Sequence, residues 1–367
     1  MAELFAGLMS GTSLDGVDGV LAEFSAQGIP KVVSHAYRAF PETLRDELLA
    51  LNSSGPDELH RCALAASTLA GLYIEVVAEL LAHSKVQPSA VRAIGSHGQT
   101  VRHRPMLGYT SQINNPALLA EKSGIAVVAD FRSRDVAAGG QGAPLVAAFH
   151  RALFGAAGET RAVLNLGGIS NLTALLTDGR TTGFDCGPAN VLMDLWSLRH
   201  TGQRFDADGT WAASGVVQPQ LLEVLLQEPY FAAPPPKSTG RDLFNAGWLA
   251  DRLNRYGKDC RPEDVQATLC ELTAITCIRA ILDHAGDASE LLVCGGGALN
   301  KQLMRRLAHH LPKMAVRLTD DRGLPAQHVE AAAFAWLAYK HLHGEPGNLS
   351  AVTGAAGPRL LGALYPA

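Results

Sequence analysis

The amino-acid sequence predicts an α/β chain of two domains, on three observations. Apolar runs of strand length alternate with apolar stripes at helical spacing along the whole chain. A strand–turn–strand pattern with a glycine- and hydroxyl-rich tip occurs twice, near the start and again near the middle. The length, 367 residues, suits two ordinary domains, and the glycine-rich link Gly139-Gly140-Gln141-Gly142-Ala143-Pro144 offers a place to divide them. The first domain is expected over 1–137, with 344–367 packing back on it, and the second over 138–343.

The elements follow in order. Residues 3–9 are apolar and extended, a turn follows, and a second strand runs from Val17 to Phe24. Residues 57–83 carry apolar side chains at helical spacing, among them Leu59, Cys62, Ala66, Leu69, Val76, Val77 and Leu80. Val91–Gly95 and Ile125–Ala129 read as short strands. The second hairpin pairs Ala162–Leu166 with Leu172–Leu176 across the tip Gly167-Gly168-Ile169-Ser170-Asn171. A helix is expected after Phe184-Asp185-Cys186-Gly187-Pro188-Ala189-Asn190, another over 264–284, and an alanine-rich one from Val329 to His341. The strand Leu291–Cys294 enters a third glycine cluster, Gly295-Gly296-Gly297, before a helix from about Leu299.

Composition narrows the function classes. A formal charge of −4, without any long run of Lys or Arg, gives no footprint for nucleic acid. The six cysteines are irregularly spaced, which suits a reducing compartment better than a disulfide framework. The first residues lack the basic and apolar regions of a secretory signal, and no apolar run approaches the roughly 20 residues of a membrane helix. A cytoplasmic location without membrane partner is expected; the sequence is silent on oligomeric state, and a homodimer stays open.

The chemistry concentrates at the glycine clusters. A backbone without Cβ atoms can approach phosphate oxygens closely and aim its N–H groups at them. In the first hairpin, Ser10, Thr12 and Ser13 offer hydroxyl donors, while Asp15 and Asp18 could orient hydrated magnesium. Taken alone, such a hairpin reads more readily as a glycine-rich β-turn with solvated aspartates. The third cluster, at a helix start, suits an anion or nucleotide, although it departs from GxGxxG at Asn300. Asp185 is the candidate general base, and a helix N-cap is its plainer alternative. His97 reads more readily as a structural histidine than as a ligand, and Arg132 and Arg134 either clamp a carboxylate or form surface ion pairs. Lys237-Ser238-Thr239-Gly240 lacks the preceding glycines of a phosphate-binding P-loop.

Together these stretches resemble the anhydro-N-acetylmuramic acid kinases. The likeness is carried by Gly7–Asp18, Gly95–Thr100, Ala129–Arg132, Gly139–Leu145, Asn165–Asn171, Phe184–Asn190 and Pro234–Arg241, in order along nearly the whole chain. It implies two RNase-H-like domains of the actin, hexokinase and Hsp70 type, with mixed sheets flanked by helices and a central ATP cleft. It implies ATP held by Gly11, Thr12, Ser13, Leu14, Asp15, Gly16, Val17 and Asp18, by Gly167, Gly168, Ser170 and Asn171, and by Gly295, Gly296, Gly297 and Asn300. Mg2+ would sit near Asp15 through water, and Thr100, Arg134 and Glu330 would contact the sugar. The implied reaction opens 1,6-anhydro-N-acetylmuramic acid with water, Asp185 as base, and phosphorylates O6, giving N-acetylmuramic acid 6-phosphate and ADP in cell-wall recycling. An ordinary hexokinase-like kinase and a non-catalytic nucleotide switch are the rival readings, and a dinucleotide enzyme a remote one.

Overall fold

A computed structural model of the chain describes residues 2–11 and 13–367. The chain begins with strands β1 (Glu3–Met9), β2 (Gly16–Phe24) and β3 (Pro30–Ala39), then helices α1 (Glu42–Ala50) and α2 (Glu58–Ser84). Next come β4 (Val91–Ser96), β5 (Gln99–Arg104), β6 (Tyr109–Ile113), α3 (Pro116–Ser123), β7 (Val127–Ala129), α4 (Ser133–Ala137) and α5 (Val146–Phe154). A second group follows: β8 (Arg161–Leu166), β9 (Ile169–Leu175), β10 (Thr181–Pro188), α6 (Asn190–Thr201), α7 (Thr210–Ser214), α8 (Pro219–Leu226), α9 (Pro229–Ala232), α10 (Ala246–Tyr256), α11 (Pro262–Ala285), β11 (Glu290–Cys294), α12 (Lys301–His310) and β12 (Ala315–Leu318). The chain ends with α13 (Val329–Leu342), α14 (Ser350–Thr353) and β13 (Ala363–Tyr365).

Two compact units result, Met1–Leu153 with His328–Ala367, and Phe154–Gln327. In the first unit the sheet order is β13-β7-β4-β1-β2-β3, with β1, β2 and β3 antiparallel and β4 and β7 parallel to β1. In the second it is β10-β9-β8-β11-β12, again three antiparallel strands followed by two parallel to the first. One strand order used twice, in mixed sheets joined by helices, is the RNase-H-like α/β arrangement.

Alternation along β1 explains the layering of the first unit. Ala6 and Leu8 join the cluster formed with Leu69, Tyr73, Val76 and Val77 of α2. On the other face, Phe5 meets Tyr339 of α13 edge-on, with ring centroids 5.6 Å apart. The helix comes so close that a Cβ on Gly7 would overlap the carbonyl oxygen of Ala331, and one on Gly95 that of Phe334. Glycine is required there by space.

These contacts place the unit boundaries at Leu153/Phe154 and Gln327/His328, whereas the sequence suggested 137/138 and 343/344. Helix α13 belongs to the first unit because it covers β1 and β4. The glycine-rich link belongs there too. Gly142 N donates to Asp135 Oδ2 at 2.8 Å and Gln141 N to Thr353 O at 2.7 Å. Asp135 is fully buried, and its Oδ1 also accepts from Asn348 Nδ2 and Thr353 Oγ1, each at 2.7 Å.

Helices α2 and α11 are long and apolar enough to cross a membrane by length and composition, which a search for uninterrupted apolar runs passes over. In α11, 83% of the apolar window is buried inside the protein, so its surface is already used in the core of the second unit.

Candidate active site

The hairpin of the first unit connects Met9 to Gly16. Ser10 is buried, and its Oγ donates to Gly98 O at 2.8 Å and accepts from Tyr73 Oη at 2.9 Å. The hydroxyl expected to face a phosphate is therefore consumed inside the domain. Thr12 lies outside the described residues. Ser13 Oγ donates to Asp15 Oδ1 at 2.8 Å, and Gly16 N donates to the same oxygen at 2.9 Å. Leu14 takes a left-handed backbone, φ 57°, and buries its side chain. A left-handed leucine is costly, so it fixes the shape of the tip through its apolar anchor. Val17 is also core; neither apolar side chain is available to a ligand. Asp15 is exposed, whereas Asp18 is half-buried beside His35 Nε2 at 3.4 Å. Burial, together with the nearby Asp15 charge, outweighs the His35 hydrogen bond and raises the Asp18 carboxyl above its ordinary range.

The expected sugar contacts occupy three elements of the same unit. Thr100 on β5 accepts from Gln112 Nε2 at 3.2 Å. Arg134 on α4 is exposed, and Glu330 stands in the first turn of α13. Arg132 is no carboxylate clamp: its Nη1 donates to Gly142 O at 2.7 Å, and its Nε and Nη2 point at His97.

In the second unit, α6 is tied to the β8–β9 hairpin. Asn190 Nδ2 donates to Leu166 O and Gly167 O at 3.1 and 2.8 Å, and the amides of Ala189 and Val191 donate to Gly168 O. Ser170 Oγ donates to Gly187 O at 3.0 Å, so this hydroxyl braces the hairpin against β10. Gly295 (φ 81°) and Gly297 lie against the hairpin, where a Cβ would overlap Asn165 Oδ1 and Leu166 respectively. The structure thus unites the second and third glycine clusters. Asn300 caps α12, its Oδ1 accepting from Leu303 N at 3.0 Å, which commits that side chain locally.

Asp185 lies within β10, not at a helix start; Ala189 holds the N-cap position of α6. The β9 register skips between Asp185 and Gly187, a bulge of the kind that re-aims a side chain. The segment 229–241 holds it from three directions. Tyr230 Oη donates to Asp185 O at 2.7 Å, Asp185 N donates to Lys237 O at 3.3 Å, and Thr239 N donates to Asp185 Oδ2 at 3.0 Å. Lys237 Nζ closes the strap by donating to Tyr230 O and Phe231 O at 3.1 and 3.2 Å, above the Tyr230 ring. Burial lowers the Lys237 ammonium from its ordinary pKa, with Cys186 and Asp185 acting in the opposite sense. Burial also raises the Tyr230 phenol far above its usual value, so it remains a donor. The roles of Lys237 and Tyr230 escaped the sequence reading. The signals there, the prolines at 234–236 and the family-like stretch Pro234–Arg241, mark a loop without saying what it holds.

The residues present suit a nucleoside triphosphate. A Cβ on Gly296 would meet nothing within 4 Å, and on Gly167 only Ile169 O at 3.4 Å, so backbone at both places stays open to close approach. Asn171 Oδ1 and Asn165 Oδ1 are buried without a hydrogen-bond partner among the described residues. No group of three or more His, Cys, Asp or Glu able to hold a metal occurs among the described residues. An exposed Asp15 instead suits Mg2+, which keeps several waters and binds through phosphates with one or two carboxylates.

Fold and site together define an α/β phosphotransferase of two RNase-H-like units. The anhydro-N-acetylmuramic acid kinase family model matches residues 3–367. Among curated relatives, the enzyme of that name from Variovorax paradoxus is 59% identical, the alignment covering 100% of this chain and 99% of the relative. The one from Bordetella petrii is 60% identical, over 99% and 96%. The activator of 2-hydroxyisocaproyl-CoA dehydratase from Clostridium difficile is a more distant structural likeness, with 13% identity and a TM-score of 0.48, covering 94% of this chain and 96% of that one. The chain belongs to the anhydro-N-acetylmuramic acid kinase family, and it is accordingly a sugar kinase of cell-wall recycling.

Proposed function

We propose that this kinase couples hydrolysis to phosphoryl transfer on 1,6-anhydro-N-acetylmuramic acid, with Asp185 as the base. In that sugar O6 is locked in an internal ether and carries no proton for a base to remove. Asp185 instead takes a proton from water, the water oxygen bonds to C1, and the C1–O6 bond breaks. O6 then attacks the γ-phosphorus of ATP and ADP leaves. The proton on Asp185 passes to solvent, leaving N-acetylmuramic acid 6-phosphate.

The observation that carries this reading is the three-way grip on Asp185 at the β10 bulge. A solvated surface aspartate needs no such support, whereas a base must be held within reach of one proton. The described tip residues around Gly11 and Asp15, and the tips at Gly167–Asn171 and Gly295–Gly297, are assigned to the phosphates and nucleoside. Mg2+ near Asp15 would supply charge neutralisation. Thr100, Arg134 and Glu330 are assigned to the sugar, and the enzyme to the cytoplasm.

Turnover in oxygen-18 water tests the reaction: one heavy oxygen is expected at C1, with phosphate on O6. An unlabelled product overturns the coupled mechanism. Asp185→Asn is expected to abolish turnover while retaining ATP binding; full activity in that variant removes Asp185 from the role.

A further inference from the structure

His97 lies buried between β4 and β5, beneath the Phe334 ring, with centroids 4.7 Å apart. Its two nitrogens have opposite partners. Nδ1 is 3.0 Å from Ser10 O, which only accepts, so Nδ1 carries the proton. Nε2 faces Arg132 Nε at 3.2 Å and Nη2 at 2.9 Å, which only donate, so Nε2 is the bare acceptor. Burial and the Arg132 charge, in that order, push the imidazole pKa down to about 3, so this single neutral tautomer persists at neutral pH.

The neighbours extend the same connection. His97 N donates to Leu8 O at 3.0 Å, Ser10 Oγ to Gly98 O at 2.8 Å, and Gln99 Nε2 to Gly11 O at 3.1 Å. The entry to the phosphate hairpin's tip is therefore laced to the turn that leads into Thr100. On the other side, Arg132 immediately precedes α4, which carries Arg134, and its third bond ties it to Gly142 O.

We propose that His97 is a positioning residue that joins the phosphate hairpin to the sugar-side helix α4, so that nucleotide and sugar affinities are coupled through one imidazole. The inference rests on the proposed roles of the hairpin and of Arg134. Within the first unit, the hairpin backbone at Ser10 and Arg132, at the start of α4, cannot shift independently while both ring bonds stand. Ordering one by a ligand then makes ordering the other less costly, which is positive coupling.

Two variants separate the two halves of the ring. His97→Asn places an amide N–H near the Nδ1 position and keeps the Ser10 bond while losing the Arg132 acceptor. His97→Gln reaches the Nε2 position and keeps the Arg132 bond while losing the Ser10 donor. With each ligand titrated alone, His97→Asn is expected to weaken sugar binding about tenfold with ATP-analogue binding little changed, and His97→Gln the reverse, about the worth of one charge-assisted or buried hydrogen bond. In calorimetry with a non-hydrolysable ATP analogue, the wild type is expected to bind sugar at least about fivefold more tightly with the analogue than without, and both variants to lose that difference. Arg132→Lys, which keeps the charge but not the fork, serves if either His97 variant fails to fold, and it should behave as His97→Asn does. Folded variants that keep wild-type coupling, or that weaken the same ligand when each is titrated alone, overturn the proposal. Arg134→Met with unchanged sugar binding instead overturns the sugar-site reading beneath it.

Discussion

Removing the Tyr230 hydroxyl tests whether the strap positions the base. In Tyr230→Phe the ring stays, with its edge-on neighbours Phe231 and Phe244, so packing is nearly conserved. What is lost is a 2.7 Å bond to the main-chain oxygen of Asp185, at the bulge where β10 leaves its register with β9. A buried carbonyl that loses its donor costs about 1–3 kcal/mol. Taking about 2 kcal/mol, a domain of 150–250 residues melts about 4–8 °C lower. Catalysis responds more steeply, because a displacement of about 1 Å at a reacting group costs about a hundredfold. A partial loosening is therefore expected to lower kcat about 10- to 100-fold, with KM for ATP within about twofold. Steady-state kinetics and a melting curve on the same preparation decide it. A melting point that falls as expected beside an unchanged kcat would show that Tyr230 supports the fold and not the base.

Three further outcomes follow from the geometry. Gly95→Ala drives a methyl into the Phe334 carbonyl and should cost about 3 kcal/mol or more, read by denaturant unfolding. His97 and His150 are both pushed by burial to a pKa of about 3. The unfolded chain takes up these protons below about pH 6.5 while the folded chain resists until about 3, so stability present at neutral pH is lost on acidification. Between pH 7 and 5 each histidine should remove about 2 kcal/mol, measurable as a falling urea midpoint. Asp135→Asn replaces one carboxylate oxygen by an amide NH2, which must face either the Gly142 donor or those of Asn348 and Thr353. It should cost about 3 kcal/mol and expose the segment after α13 to limited proteolysis.

The elements most legible in sequence were those whose own periodicity declares them. The expected 57–83 and 264–284 helices appear as Glu58–Ser84 and Pro262–Ala285, and both glycine-tipped hairpins form. Strand β3 was missed because its sheet-edge burial is patchy, and β10 because Gly183, Gly187 and Pro188 resemble a turn. Direction was harder to read than identity. Ser10 and Ser170 were legible as hydroxyls at hairpin tips, yet each is satisfied by a carbonyl distant in sequence, from Gly98 and Gly187. Asp185 stood out, but its three supports lie 45 to 54 positions away, beyond the reach of any local pattern. Asp135 gave no signal, since its partners at Asn348 and Thr353 come from the far end of the chain.

The division of the first unit also governs how the protein can be made. Strands β1 and β4 leave the ribosome early, but the helix that covers Gly7 and Gly95 is encoded after the whole of Phe154–Gln327. At about 5–20 residues per second, Gly95 waits about 12 to 50 s for Phe334 to be synthesised. By the end of that interval the second unit has all of its own strands, while the first still has a sheet with one apolar face bare. A nascent chain stalled before residue 328 therefore carries a half-covered sheet in its first unit and a complete second unit, a form suited to capture by a chaperone. Tags or truncations at the C-terminus act on the last step by which the first unit closes.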